Sequence, residues 1–506
     1  MKHGRAICTV IVTVTLACVS LAALSARAQA QAAAPGAPAL GEKPNIVFVL
    51  TDDLSWDLVD YMPNVQALER EGVTFSNYFV TDSLCCPSRA SIFTGKYPHN
   101  TGIYRNTGLD GGFPAFRDHG LERATFATTL EAAGYRTALM GKYLNEYTPA
   151  RGPDGMPYVP PGWTDWDVAG NGYPGYGYRI ANDTRVMHRG HGARDYLTNV
   201  LRHDAVGFID SAVSEREPFL LELSTFAPHT PATPAPRDRS RFLSVAAPRT
   251  PAFDEEDLSD KPEWLRGHPR LTLDQEGRID ELYRRRVRSV QAVDRALGRI
   301  RVELRNLHVA RNTYIVFSSD NGFHMGEHRL TSGKLTAYDT DIRVPLIIAG
   351  PGVAAGQTVS DIAENIDLCP TFGELAGSPA AADVDGRSLM PFLRGLPAPA
   401  DWRTAALVEH RGSVTSPADP DFPPSGSGNP PTYEALRTRD YLYVEYADGE
   451  REYYDVRTDP YELDNLADEL PTSDLIELED QLQAIRSCYG IGCRLASQPT
   501  LDSLLP

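Results

Sequence analysis

Two short acidic clusters each follow an apolar run, and their residue types suit a cation. Residues 45–51 read Asn-Ile-Val-Phe-Val-Leu-Thr and end in Asp52-Asp53, while residues 314–318 lead into Ser319-Asp320-Asn321-Gly322. Continuous apolar runs of this kind are typical of strands buried on both faces of a parallel sheet. Ligands of open α/β sheets gather off the carboxyl ends of such strands, so both clusters are expected in one crevice. Three carboxylates and one amide oxygen form a hard, oxygen-only donor set suited to Ca²⁺ or Mg²⁺ rather than to zinc or copper. One acidic pair after a strand also serves to cap helices and shape turns, but two pairs in equivalent places weigh against that reading.

A third string, Leu84-Cys85-Cys86-Pro87-Ser88-Arg89-Ala90-Ser91-Ile92-Phe93-Thr94-Gly95, sets a cysteine four residues before an arginine. A cysteine taken alone is ordinarily a buried apolar thiol or a disulfide partner. The whole string, however, resembles the signature of the sulfatases, in which the first cysteine is oxidised to formylglycine. The resemblance runs from about Pro44 to Ala467. It takes in Gly141-Lys142-Tyr143-Leu144-Asn145-Glu146-Tyr147, Ala227-Pro228-His229, Phe323-His324 after the second acidic cluster, Asp341-Ile342-Arg343-Val344-Pro345-Leu346, and the stretch from Tyr454-Asp455 to Leu466. Within the family the chain is most similar to N-acetylglucosamine-6-sulfatases and extracellular heparan 6-O-endosulfatases.

Carried over residue by residue, the resemblance implies one divalent cation, Ca²⁺ in preference to Mg²⁺, on Asp52, Asp53, Asp320, Asn321 and the formylglycine made from Cys85. Hydrated formylglycine then attacks sulfur with one hydroxyl and expels sulfate with the other. Lys142 and Lys334 meet the sulfuryl oxygens, Arg89 holds the formylglycine and the metal cluster, and His229 protonates the leaving alcohol. Many family members carry a histidine where this chain has Leu144, which leaves His324 or Asp320 to help break the sulfated intermediate. Without the motif, Lys142 and Lys334 would read as surface lysines and His229 as a turn histidine. Asn145, Glu146, Trp163 and Tyr173 are available to a sugar pocket or to packing. The implied activity is hydrolysis of a sulfuric ester on a sulfated carbohydrate, such as N-acetylglucosamine 6-sulfate, or on an aryl sulfate. The implied maturation partner is a formylglycine-generating enzyme. Two alternatives stand beside this: a phosphate or phosphonate ester hydrolase of the same superfamily, and a non-catalytic sulfated-glycan-binding protein whose Cys85 stays a thiol.

The elements that must hold these residues are legible in outline. The chain of 506 residues exceeds what one core supports, so a large catalytic domain, 44–397, and a C-terminal subdomain, 398–506, are expected. Apolar runs at 135–140, 219–225, 314–318 and 344–349 alternate with helical patterns, notably Val287, Val290, Val293, Leu297, Ile300 and Leu304 on one face of a long helix. The expected fold is α/β, a large mixed, mainly parallel sheet sandwiched by helices and alkaline phosphatase-like. In the subdomain, Asp448-Gly449 between residues 441–447 and 450–456 predicts a hairpin of an antiparallel sheet, and 475–485 a last helix. Spans 162–178 and 228–262 are expected to be irregular, and the Pro/Gly/Ser-rich stretch 416–432 a mobile loop.

Residues 1–30, with Lys2, His3 and Arg5 before an apolar run, read as a signal peptide, and 31–43 as a tether, so export to the periplasm or beyond is expected, with no stable membrane partner. Of the seven cysteines, Cys8 and Cys18 leave with the signal, and Cys488 and Cys493 flank a loop that a disulfide can close. A net charge of −18 without any long Lys/Arg run argues against nucleic acid, and it requires that an anionic substrate be met by a local cluster of cations. The lack of a long basic docking segment argues against endo action.

Overall fold

Along the first strand, β1 (Asn45–Asp52), every residue is buried. Ile46, Phe48 and Leu50 enter one hydrophobic cluster, whereas Val47 and Val49 enter another. A strand that feeds two cores lies at the centre of a covered sheet. The computed structural model describes residues 43–152, 155–379 and 381–498; the signal segment and all of the tether but Lys43 lie outside these residues.

The large sheet also contains β2 (Val73–Phe75), β4 (Arg136–Gly141), β5 (Asp165–Ala169), β6 (Arg179–Asn182), β7 (Arg185–His188), β8 (Phe219–Pro228), β9 (Thr313–Ser319), β10 (Leu346–Ala349) and β11 (Gln357–Val359). Short β3 (Tyr78–Phe79) pairs separately with β12 (Ala363–Glu364). The ten strands run in the order β11-β2-β10-β9-β1-β8-β4-β5-β6-β7. The middle five, β9 to β5, are parallel, while β10, β6 and β7 are antiparallel to their neighbours. The expected mixed, mainly parallel sheet is therefore present.

Helices cover both faces. On one lie Cys85–Thr94, Phe126–Ala132 and Leu368–Leu375; on the other, Leu197–Glu215 and the 34-residue helix Leu273–Asn306. The long helix starts at a capping box between Thr272 and Gln275, which satisfies otherwise unpaired backbone donors, and buries Val287, Val290, Val293, Leu297, Ile300 and Leu304. In the C-terminal subdomain β13 (Ala405–His410), β14 (Tyr433–Thr438), β15 (Tyr441–Tyr446) and β16 (Arg451–Asp455) form an antiparallel sheet. Helix Thr472–Arg486 packs Leu478, Leu482 and Ile485 against it, and Cys488 and Cys493 are disulfide-bonded.

One expectation needs correction. The Gly/Tyr-rich span 162–178 is not irregular throughout, because Asp165–Ala169 forms β5 beside β4. Its alternation of Trp166 and Val168 with aspartates is a strand pattern, overshadowed in the sequence by the surrounding glycines.

Within the sheet, Glu222 of β8 is 0% exposed and neither carboxyl oxygen has a hydrogen-bond partner. Burial outweighs the pull of Arg89 and raises its pKa from 4.5 to about 8. The folded state thus keeps a proton that an unfolded glutamate releases near 4.5, so this stabilising contribution is complete below that value and is lost as pH rises through about 8. Glu222→Gln should flatten the fall in melting temperature between about pH 5 and pH 8, measured by calorimetry; an unchanged slope would contradict the assignment.

Candidate active site

Four adjacent parallel strands, β9-β1-β8-β4, end side by side, and each hands its next residues to one crevice. Asp320 and Asn321 follow β9, Asp52 ends β1 and Asp53 follows it, His229 follows β8 and Lys142 follows β4. Neighbouring strands lie about 4.8 Å apart, which spaces these side chains for mutual contact. At the end of β4, Gly141 has φ +119°, and a Cβ there would collide with the Ser224 carbonyl. Only glycine lets the chain close up so that the Lys142 N–H reaches that carbonyl at 2.8 Å.

Cys85 opens the helix Cys85–Thr94, whose N-terminal end carries a partial positive charge. Its thiol donates to Asp52 Oδ1 at 3.1 Å and accepts from Lys334 Nζ at 2.8 Å. Arg89, one turn along, donates through Nε to Asp320 Oδ2 at 2.8 Å and through Nη1 to Ser224 Oγ at 2.7 Å. Lys142 Nζ donates to Asp52 Oδ2 at 2.8 Å and Lys334 Nζ to Asp53 Oδ1 at 2.7 Å. All nine residues expected in the site come together, none more than 4% exposed, so neither lysine is a surface lysine.

The side-chain oxygens of Asp52, Asp53, Asp320 and Asn321, which adjoin one another at the strand ends, suit a hard cation. One atom each of Asp52, Asp53, Cys85 and His229 lie within 4.8 Å of one another, and Asn321 Oδ1, beside them, is buried without a hydrogen-bond partner. Burial pushes the Asp320 carboxyl up, but Arg89, Lys142 and Lys334 overcome it and hold the group below its ordinary value. Burial disfavours charge on His229, yet Asp53, Asp52 and Asp421 raise its pKa to about 9. Burial, then Asp421 and Asp52, drive the Cys85 thiol well above its usual value, so the unmodified cysteine is a poor nucleophile here.

Asp421 was not expected. It sits in the stretch 416–432, expected to be a mobile loop, yet its side chain is 3% exposed and Asp419 and Ser427 are buried. Its Oδ1 lies 2.8 Å from both Lys334 Nζ and His229 Nε2, and its Oδ2 accepts from Asn106 Nδ2 at 2.6 Å. The carboxylate thereby occupies an anion position between the two cations. The sequence offered only the acidic doublet Asp419-Pro420-Asp421 within a proline-rich loop, which says nothing about a partner so far away along the chain.

Of the two candidates for the role left open at Leu144, His324 has both ring nitrogens engaged, by Asp341 at 3.0 Å and the Ser427 carbonyl at 2.9 Å, and Asp320 is held by Arg89. Leu144 itself is buried in the core. A cavity of 760 Å³ opens beside Lys142 and His229, lined in part by Asn145, Glu146 and Tyr173. Trp163 does not reach it; its ring packs among Phe93, Phe126 and Trp166.

Residues 44–378 match the Sulfatase family model. The chain belongs to the sulfatase family. Residues 326–487 also match the model for the C-terminal region of N-sulphoglucosamine sulphohydrolase. The N-acetylglucosamine-6-sulfatase of Capra hircus is 36% identical over 488 residues, which cover 91% of this chain and 86% of that protein. A solved structure in complex with its substrate D-glucosamine-2-N,6-O-disulfate is 26% identical, with a TM-score of 0.69 over 87% of this chain and 97% of that one. A phosphonate monoester hydrolase from Silicibacter pomeroyi, 24% identical with a TM-score of 0.65 over 86% of this chain and 93% of that one, shares the fold. This sulfatase is therefore a sulfuric ester hydrolase of a family that works with a metal and formylglycine.

Since Asp421 fills an anion position, Asp421→Ala should let inorganic sulfate bind about tenfold more tightly, because removing a like charge at contact distance is worth at least that factor. Competitive inhibition of aryl sulfate turnover by sulfate would measure it, and an unchanged or weaker inhibition constant would contradict the prediction.

Proposed function

We propose that this sulfatase removes the 6-sulfate from N-acetylglucosamine 6-sulfate or a closely similar terminal sugar. The observation that carries the reading is the 36% identity to an N-acetylglucosamine-6-sulfatase across 91% of the chain, joined to a sugar-sized cavity that abuts the cation crevice. Bound to Asp52, Asp53, Asp320 and Asn321, a divalent cation, Ca²⁺ in preference to Mg²⁺, would supply with formylglycine at position 85 a hydroxyl acidic enough to attack sulfur near neutral pH.

The remaining work falls to the chain's own side chains. Lys142 and Lys334 give the sulfuryl oxygens two fixed positive charges in a water-poor crevice, where such charges act strongly. Arg89 ties Asp320 to Ser224 and to the Lys142 carbonyl, which fixes the metal-binding carboxylate against the nucleophile's helix. His229 offers Nε2 as the proton donor to the departing sugar oxygen, and Asp421 must yield that nitrogen when substrate arrives. The catalytic domain is 44–397, and the subdomain 398–506 contributes Asp421 to its crevice. The signal-like N-terminus and the Cys488–Cys493 disulfide suit an exported protein, matured by a formylglycine-generating enzyme. Among the described residues no helix is long and apolar enough to cross a membrane.

Protein from its native host should release sulfate from N-acetylglucosamine 6-sulfate. Cleavage of a phosphodiester with no sulfate release would overturn the reading. A chelator should abolish the activity and lower the melting temperature, and Ca²⁺ should restore both; activity that survives thorough chelation would refute the metal assignment. His229→Ala should cost about 10²- to 10⁴-fold on the sugar sulfate, whose alkoxide leaves poorly, but far less on a nitrophenyl sulfate. Equal losses on the two substrates would remove His229 from the role of acid.

A further inference from the structure

The cavity beside the cation crevice divides by charge. At its inner end stand Lys142 and His229, each already facing a carboxylate, Asp52 and Asp421 respectively. Beyond them the described lining holds no other lysine and no arginine, but it does hold two carboxylates, Glu146 and Asp419. Tyr173 forms an aromatic wall, its ring 5.2 Å from Lys142 Nζ and 4.4 Å from the His229 ring.

Asp419 is buried, whereas Glu146 is exposed and constrained through its backbone. Glu146 has a left-handed backbone, φ +63°, a conformation that non-glycine residues adopt only where the surroundings impose it. Its carboxylate lies over Gly112, where an added side chain would collide with it. Asp419 accepts from Asn106 Nδ2 at 3.1 Å and from the Asp421 N–H at 2.9 Å. Between them Asn145, only 5% exposed, lines the wall with an Oδ1 that has no hydrogen-bond partner.

With the transferring sulfate on Lys142 and Lys334, a second anionic group in this cavity has Glu146 and Asp419 on the described lining and, apart from Lys142 and His229, no lysine, arginine or histidine there. We propose that the pocket selects a 6-sulfated hexosamine whose nitrogen carries a neutral acyl group or a free ammonium and rejects the N-sulfonated form, with Glu146 and Asp419 as the specificity-determining residues. This inference rests on the hexosamine reading given above. The same fold accepts a doubly sulfated glucosamine in the solved relative, so the discrimination belongs to the lining and not to the architecture. An ammonium on the sugar would gain from Glu146 what an N-sulfonate loses, and both effects should weaken as salt screens the partly open wall.

The test compares kcat/KM for N-acetylglucosamine 6-sulfate, glucosamine 6-sulfate and glucosamine N,6-disulfate. For the unaltered enzyme, the first two should exceed the third by about tenfold or more, the scale set by one unscreened like charge a few ångströms away. Glu146→Gln should shrink the ratio of N-acetyl to N-sulfo turnover several-fold, Glu146→Lys should reverse the order of the two charged substrates, and about 1 M salt should narrow the ratio in the unaltered enzyme. Equal turnover of all three by the unaltered enzyme, or a ratio untouched in both Glu146 variants, overturns the inference and leaves the hexosamine reading standing. No release from any of the three by enzyme that still turns over an aryl sulfate overturns that reading and this inference together.

Discussion

Buried carboxylates need cations, and this requirement organises the molecule. Asp52, Asp53 and Asp320 are at most 1% exposed, where an unpaired charge is costly. Each is met by a buried cationic side chain, respectively Lys142, Lys334 and Arg89. Asp52, Asp53, Asp320 and Lys142 converge because β9, β1, β8 and β4 run parallel and adjacent and so end together, while Arg89 reaches them from helix Cys85–Thr94 and Lys334 from the chain beyond β9. Antiparallel order at these positions would send alternate functional residues to opposite ends of the sheet. The helices that cover both faces, the capping of the long helix and the glycine at 141 all serve to hold that line of strand ends in place.

The same pairing explains how a strongly acidic protein handles an anion. The net charge of −18 repels sulfate at long range, but inside the crevice three permanent cations and His229 stand within reach of one another. Asp421 completes the balance by supplying a carboxylate between Lys334 and His229. The C-terminal subdomain thus reaches the crevice through its loop and not only through packing, and Asp419 of that loop lines the adjoining cavity.

Much of this was legible in the sequence because it is local. Residues 45–51 and 314–318 are continuously apolar since both faces are covered, and the acidic clusters directly follow them. The string from Leu84 to Gly95 keeps Cys85 and Arg89 one helical turn apart, so spacing and family likeness agree. What escaped was set by distant contacts. Asp421 reaches the crevice from a proline-rich loop whose composition spoke only of irregular backbone. Trp163 has the character of a sugar platform, but it was claimed by a cluster of aromatic neighbours. β5 was obscured by glycines on either side of a short alternating run.

If residue 85 works as formylglycine on a cation held by the strand-end carboxylates, the mass of the peptide that contains it reports the change directly. In active protein purified from its native host, the peptide should be about 18 Da lighter than its cysteine form, the change from a thiol to an aldehyde. An unmodified cysteine in a preparation that releases sulfate at full rate would exclude formylglycine as the nucleophile.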